Sequence, residues 1–426
     1  MAEVIEVHVT FETETIRAGR LYPHRRRGAE SASFTYDDAY LAKPEAYALD
    51  PALPLVSGVL QTPKNQKIFG AFADSAPDRW GRNLIQRAER LRARTLGRTP
   101  SSLGEIVFLL GARDDLRQGA LRFRADDEGP FLATDAGGVP ELIELPALLQ
   151  IAERSQRRAV DYAELQRLVH AGGSLGGARP KAHVRDTSGR VAIAKFQNPT
   201  SDSWNVVAWE KVALNLARAA GITVPNSELI KVGERSVLIV DRFDRNFKSR
   251  IGYVSAMTML EAADGDQRSY LDIAAVIEER SSKTSQDLSE LWRRMAFSVL
   301  ASNTDDHLRN HGFLYSGRDS WDLSPAFDLN PNPSPGSKDL STAISEFDTR
   351  ATFKNLMEVA GFFRLDDGEA INILAEVVEA VSNWSAVARK HGLTQSEISD
   401  MESAFVHAES EKAVVAIRRF RRELLR

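Results

Sequence analysis

The chain contains no cysteine. That absence removes disulfides, thiolate nucleophiles and cysteine-ligated zinc together, and a reducing cytoplasm is the simplest setting for such a chain. No run of about 18 apolar residues occurs, so no membrane-spanning helix and no membrane partner are expected. The opening stretch, MAEVIEVHVTFETETI, is acidic and alternating, and lacks the positive start and apolar run of a signal peptide. An excess of one charge is also missing. Lys and Arg number 55 against 59 Asp and Glu, a net charge of -4, which argues against coating nucleic acid by bulk charge. There is no internal repeat and no long low-complexity tract. What remains is ordinary: 426 residues, 43% hydrophobic and 27% charged, enough to bury a large core in two or three domains of about 150 residues. Two local basic clusters survive the neutral total. One is Arg25, Arg26 and Arg27; the other is Arg418, Arg419, Arg421, Arg422 and Arg426. Each reads either as a solvated face or as a phosphate-contacting patch.

Along the chain, Ile5, Val7, Val9 and Phe11 alternate with polar residues, the period of a half-buried strand. Ala32, Phe34 and Tyr36 repeat it. From Asp78 to about Arg94 the pattern turns helical and arginine-rich, and 105–110 and 119–123 read as a helix end and a strand. The stretch Asp135 to Pro140 loosens the pattern, and helical periodicity resumes from Leu145 towards Val169. These shifts divide the chain into residues 1–145 and 146–426, the latter into 146–245 and a mainly helical 246–426.

Chemistry-bearing residues gather after that boundary. Segment 171–181 reads AGGSLGGARPK, a glycine cluster able to aim successive N–H groups at a phosphate, or a plain surface hairpin. No Walker A pattern is present. VAIAKF, 191–196, carries Lys195 inside an apolar strand, which costs free energy unless the ammonium is paired or faces water. SVLIVDRFD, 236–244, reads either as the hinge between two lobes, with Asp241 and Phe243 near an adenine edge, or as a core strand followed by a turn. Leu288, Leu291, Trp292, Met295, Ala296, Val299 and Leu300 follow helical spacing, with Thr284 or Ser285 as the expected cap. NTDDHLRNHGF, 303–313, comes next, and LSPAFDLNPNP, 323–333, follows a short β-like run. Phosphoryl transfer needs a carboxylate to receive or orient a hydroxyl and hard oxygen ligands for Mg²⁺. Asp305 and Asn310 fit a D-x-x-x-x-N pair, and Asp328 fits a later metal aspartate. His307 and His311 are spaced as a zinc pair would be, but no H-E-x-x-H pattern and no third ligand accompany them. His307 reads as a loop brace.

Taken together, SLGGARPK (174–181), VAIAKF, VDRFDR (240–245), NTDDHLRN (303–310) and SPAFDL (324–329) resemble the HipA family, the kinase toxins of bacterial toxin–antitoxin modules. FADSAPDRWGR (72–82) and GALRF (119–123) are similar to that family's small N-terminal domain. The resemblance implies an α+β fold, a two-lobed protein-kinase-like core with a small mixed α/β N-terminal domain. It implies a serine/threonine kinase using ATP and Mg²⁺, with Asp305 catalytic and Asn310 and Asp328 as metal ligands. Nucleotide contacts would come from Gly176, Gly177, Ala178, Lys181, Lys195, Asp241, Phe243, His307, Asn310 and Asp328. Ser174, opening the glycine segment, would be a site of self-inactivating autophosphorylation. The implied partners are a HipB-like helix-turn-helix antitoxin, operator DNA reached through that complex, and a protein substrate such as an aminoacyl-tRNA synthetase. Competing readings are a catalytically minor corepressor and a small-molecule kinase. Asp306 and the Arg179-Pro180 pair depart from the family pattern.

Overall fold

A computed structural model describes residues 4–424, apart from 12–13, 126–128, 133–139, 158, 172–178, 187, 199–201, 247–248 and 347. It divides into two compact units. The first comprises Met1–Asp202, Ile230–Ala263 and Gly317–Asp319; the second Ser203–Leu229, Asp264–Ser316 and Ser320–Arg426.

In the first unit, strands β1 (Ile5–Phe11), β2 (Glu14–Arg26), β3 (Ala29–Tyr36), β4 (Leu60–Gln61) and β5 (Leu121–Arg124) form a sheet in the order β4-β3-β2-β1-β5. The alternation seen in sequence sets the register. Ile5, Val7 and Val9 are fully buried, as are Ala32 and Phe34. Arg27 (φ 51°) and Gly28 (φ 83°) make the two-residue turn between β2 and β3, where both positions require the left-handed region. Arg25, Arg26 and Arg27 are exposed at that tip. The helix Glu105–Gly111 and β5 match the expected helix end and strand.

A second sheet has the order β6-β7-β9-β8, with β6 Lys181–Arg185, β7 Val191–Phe196, β8 Ser227–Val232 and β9 Arg235–Asp241. One face of β6 and β7 supplies Ala182, Val184, Ala192, Ala194 and Phe196 to a core shared with helices Leu145–Gln156 and Tyr162–Ala171. Trp80, Leu84 and Ala88 of helix Arg79–Thr95 enter the same core. The boundary expected near residue 145 therefore crosses a continuous apolar cluster inside the first unit. Apolar burial recognises no sequence punctuation, and the loosened stretch 133–139 lies outside the described residues.

The second unit is built around helix Thr284–Leu300. Leu288, Leu291, Trp292 and Met295 are fully buried, and Val299 and Leu300 nearly so. Its expected cap needs correction. The residue preceding the helix is Lys283, with no side-chain cap, because Thr284 Oγ1 instead donates to the Ser281 carbonyl at 3.1 Å. Trp209, Trp384 and Phe405 pack ring on ring nearby, the last two stacked with centroids 4.9 Å apart. Among the described residues, no helix is long and apolar enough to cross a membrane.

Candidate active site

The long helix ends at Leu300, and Ser302 then takes a left-handed φ of 50° that turns the chain back on itself. Asn303 N–H donates to the Ser298 carbonyl at 2.9 Å, closing that turn. The two aspartates that follow have opposite fates: Asp305 is exposed, whereas Asp306 is buried. His307 N–H donates to the Asp305 carbonyl at 3.1 Å, and a 3₁₀ turn, Leu308–Asn310, follows. Asn310, 6% exposed, donates its Nδ2 to the same Asp305 carbonyl at 2.9 Å. That bond fixes the amide so that Oδ1 is the end left to act as a ligand. The expected D-x-x-x-x-N pair is thus one closed turn, with its asparagine braced against the backbone of its aspartate. The loop-bracing assigned to His307 is made by its backbone; its ring Nδ1 is buried and makes no hydrogen bond.

Strands Gly312–Gly317 and Ser320–Leu323 lead to the Asp328 segment. Asp328 has a φ of 59°, a conformation aspartate tolerates better than most residues. Asn330 Nδ2 donates to the Asp328 carbonyl at 3.0 Å and approaches its Oδ1 at 3.3 Å. Three hydrogen bonds lace this segment to the first turn: Asn332 N–H to the Ser302 carbonyl at 3.0 Å, Asn330 N–H to Asn303 Oδ1 at 2.9 Å, and Asn332 Nδ2 to Thr304 Oγ1 at 2.9 Å. Among the described residues no three His, Asp or Glu side chains gather as a metal cage. A donor set of one amide and one carboxylate oxygen suits Mg²⁺, which keeps most of its sites for water and phosphate.

Beneath the turn, Asp306 accepts a hydrogen bond from the Tyr270 hydroxyl and one from Ser298 Oγ at 3.3 Å. His311 Nε2 lies 3.3 Å from its Oδ1, at ion-pair distance but outside hydrogen-bond geometry. Burial alone would raise this carboxyl; the pull of His311 and the bonds from Tyr270 and Ser298 outweigh it and hold the group below the usual carboxylate range.

In the first unit, β6 and β7 pair antiparallel with Lys181 directly opposite Lys195 and His183 opposite Ile193. Directly opposed residues share a sheet face, so the two lysines point the same way, away from the core-forming alanines. Lys195 is half-buried. Lys181 is 3% exposed and donates its Nζ to Asp78 Oδ2 at 2.7 Å. Asp78 Oδ1 in turn accepts Gly81 N–H at 2.7 Å and caps helix Arg79–Thr95. Sequence reasoning placed Asp78 only at a helix start; its partner lies 103 residues away and no local pattern announces it. Ser174, Gly176, Gly177 and Ala178 lie outside the described residues. Asp241 is half-buried, its Oδ2 3.7 Å from Arg190 Nη1, and the Phe243 ring sits 6.2 Å from that of Tyr253.

The residues around Phe243 do something the sequence did not suggest. Arg242 donates to Asp244 at 2.8 and 2.6 Å and to the Leu116 carbonyl at 2.6 Å. Arg117, fully buried, donates to the carbonyls of Ser75, Leu109 and Ala112 at 2.8–2.9 Å. Arg250 reaches Asp114 Oδ2 at 3.1 Å, and Asp244 Oδ2 accepts Gly119 N–H at 2.8 Å. Burial pushes the Asp244 carboxyl up, but the guanidinium groups of Arg242 and Arg245 overcome that and hold it far below the ordinary range. His183 completes the cage. Its Nε2 accepts from Arg242 at 3.3 Å, so its Nδ1 carries the proton shared with the Ala171 carbonyl, also at 3.3 Å. Burial, then the Arg242 charge, keeps this imidazole neutral.

A braced Asp–Asn turn tied to a later aspartate, in a mixed α/β fold, is the arrangement of oxygen ligands that a kinase-like core presents. The family is equally plain. The HipA-like C-terminal domain matches residues 173–385, half of the chain, and the HipA N-terminal domain matches residues 11–101. The chain belongs to the HipA family. Two curated proteins of Sinorhizobium fredii (strain NBRC 101917 / NGR234) are similar to it. Putative kinase Y4dM is 30% identical over 135 residues, covering 28% of this chain and 32% of that protein. Putative kinase Y4mE is 23% identical over 330 residues, covering 70% and 71%. The chain thus spans about a third of the first relative's length and about seven-tenths of the second's. A HipA from Shewanella oneidensis MR-1, solved in complex with HipB and its operator DNA, shares the fold, with a TM-score of 0.62 at 15% identity over 97% of each chain.

Proposed function

We propose that this chain is an ATP- and Mg²⁺-dependent protein serine/threonine kinase acting as the toxin of a HipA–HipB type module. The observation that carries the reading is the lacing of residues 302–304, immediately before Asp305, to the Asp328 segment by hydrogen bonds of 2.9–3.0 Å. Asp305, exposed on a closed turn, receives the proton of a serine or threonine hydroxyl as that oxygen attacks the γ-phosphorus and the bond to the ADP oxygen breaks. Mg²⁺, when bound, neutralises phosphate charge; Asn310 Oδ1 and the Asp328 carboxylate would hold it. Lys195 contacts the phosphates, while Lys181 opposite it has its charge answered by Asp78 and supports the strand from within. The glycine amides and Ala178 cradle the phosphates. Asp241 and Phe243 border the base, and His307 lies against the nucleotide. Phosphate added to Ser174 would bring roughly two negative charges beside that cradle and repel ATP.

The partners in this reading are a small helix-turn-helix antitoxin and, through it, operator DNA, as in the solved Shewanella complex. The substrate is a cellular protein whose phosphorylation arrests growth, an aminoacyl-tRNA synthetase being one candidate. A test is ATP-dependent labelling of wild type, Asp305→Ala and Asp328→Ala alongside thermal unfolding. Each variant should lose labelling by about 10³-fold or more, since each removes a part of the transfer machinery itself. The midpoint should be unshifted in Asp305→Ala and slightly lowered in Asp328→Ala, where alanine meets a left-handed backbone. Near-normal labelling in either variant refutes the assignment. Comparing phosphoproteomes after induction of wild type and Asp305→Ala would name the substrate. Binding to antitoxin and DNA with no autokinase activity would instead favour the corepressor reading.

A further inference from the structure

Asp306 touches neither reactant in this scheme, yet it is one of the most completely engaged carboxylates in the second unit. Its side chain is about 5% exposed. Burying a carboxylate is costly unless every lone pair is answered. Here Oδ2 accepts from the Tyr270 hydroxyl and from Ser298 Oγ, while Oδ1 faces His311 Nε2. The His311 ring stands edge-on to Tyr270 with centroids 5.5 Å apart, so the two carboxylate partners are packed against each other.

The engagement continues outward in both directions. Ser298 Oγ, while donating to Asp306, accepts from Asn303 Nδ2 at 3.2 Å. Asn303 Oδ1 accepts from Asn330 N–H at 2.9 Å, two residues beyond Asp328. A continuous chain of donors therefore runs Asn330, Asn303, Ser298, Asp306, with the buried carboxylate as its terminal acceptor. On the backbone, the Asp306 carbonyl accepts from Thr342 Oγ1 at 2.7 Å, and the Thr304 carbonyl accepts from Ser341 N–H and Oγ at 3.0 and 3.1 Å. Both chain neighbours of Asp305 are thereby pinned while Asp305 itself projects outward.

We propose that Asp306, seated on Tyr270, is a positioning residue that sets the placement of Asp305 and of the Asp328 segment for phosphoryl transfer. It acts through Ser298 and Asn303 rather than by touching substrate. The proposal rests on the kinase reading, and amide exchange provides a readout that does not need activity. Reacting groups misplaced by about an ångström lose on the order of 10²-fold in rate. Asp306→Ala should therefore lower kcat by about 10²-fold with KM for ATP within about twofold. Tyr270→Phe, which deletes only one donor, should give a smaller kcat loss in the same sense. Combined with Asp306→Ala it should add almost nothing, because both variants break the same contact. Asp306→Asn, which keeps an acceptor for Tyr270, should recover part of the loss.

Hydrogen exchange of the full chain should accelerate in Asp306→Ala at residues 303–310 and 328–332, and not in the body of helix Thr284–Leu300. Three results overturn the proposal: unchanged kcat with unchanged exchange, losses in kcat and KM that track a falling unfolding midpoint, or additive losses in the double variant. If the wild-type chain transfers no phosphoryl group, the kinase reading fails. The exchange pattern then still decides whether Asp306 holds the two segments in place.

Discussion

At the scale of single residues, adjacent identical side chains do different work. Asp305 and Asp306 are the same residue type one position apart, and the D-x-x-x-x-N spacing singles out the first. Nothing local distinguishes the second, because its partners Tyr270 and Ser298 come from other helices. The spacing of Asp305, Asn310 and Asp328 was readable because loop chemistry is written locally. The engagement of Lys181 by Asp78 was not. A different buried carboxylate gives a pH-dependent prediction. Burial pushes Asp50 up to about 6, against the lowering effect of bonds from Ala71 and Ala52 N–H. A carboxyl whose folded pKa lies above its unfolded one holds an extra proton in the folded state between about pH 4 and 6. Its contribution to stability is present below that window and lost as pH rises through it. The loss is about 3 kcal/mol for two pKa units at a fully buried site. Asp50→Asn should remove that slope, so the difference in unfolding midpoint between variant and wild type should change between pH 4 and 6. A constant difference would show that Asp50 does not titrate there.

At the scale of elements, alternation and helical spacing were reliable wherever one face is buried. β7 and helix Thr284–Leu300 carry the burial their patterns imply, whereas β1, expected to be half-buried, is buried on both faces, its polar Glu6, His8 and Thr10 included. Segment 236–244 was half legible. Its strand, β9, is present, but the following Arg242 and Asp244 face inward to the arginine cage. A charged motif after an apolar strand reads as a surface or a site, and only long-range partners make it an interior. The Asp78–Lys181 pair connects elements in the same way and can be tested. Asp78→Ala removes a helix cap worth about 1 kcal/mol and strands a buried ammonium, which costs about 3–5 kcal/mol. Asp78→Ala combined with Lys181→Met should be less destabilised than Asp78→Ala alone, since no uncompensated charge remains. Urea unfolding of the three proteins measures this; a double variant weaker than the single would contradict the pairing.

At the scale of the whole molecule, the family was legible from motif order, and the extent of the first unit was not. Composition shifts suggested a break near residue 145, yet Trp80, Leu84 and Ala88 share a core with residues from both sides of it, as far as Val237. Periodicity reports which face of an element is apolar, and says nothing about which distant element covers it. A fragment of residues 1–145 should therefore expose that core, bind a hydrophobic dye such as ANS and lack a cooperative melt, while the full chain melts cooperatively. A sharp thermal transition in the fragment would count against this.

The arginine cage carries a consequence for synthesis. Asp114 meets Arg250 across 136 residues, and Gly119 meets Asp244 across 125. At a translation rate of 5–20 residues per second, a nascent chain that has just delivered Asp114 gains Arg122 within about two seconds but waits on the order of ten seconds for Arg250, its second counterion. During that interval the charges of residues 113–122 are exposed to water rather than held in the interior that Arg242, Asp244 and Arg250 will complete.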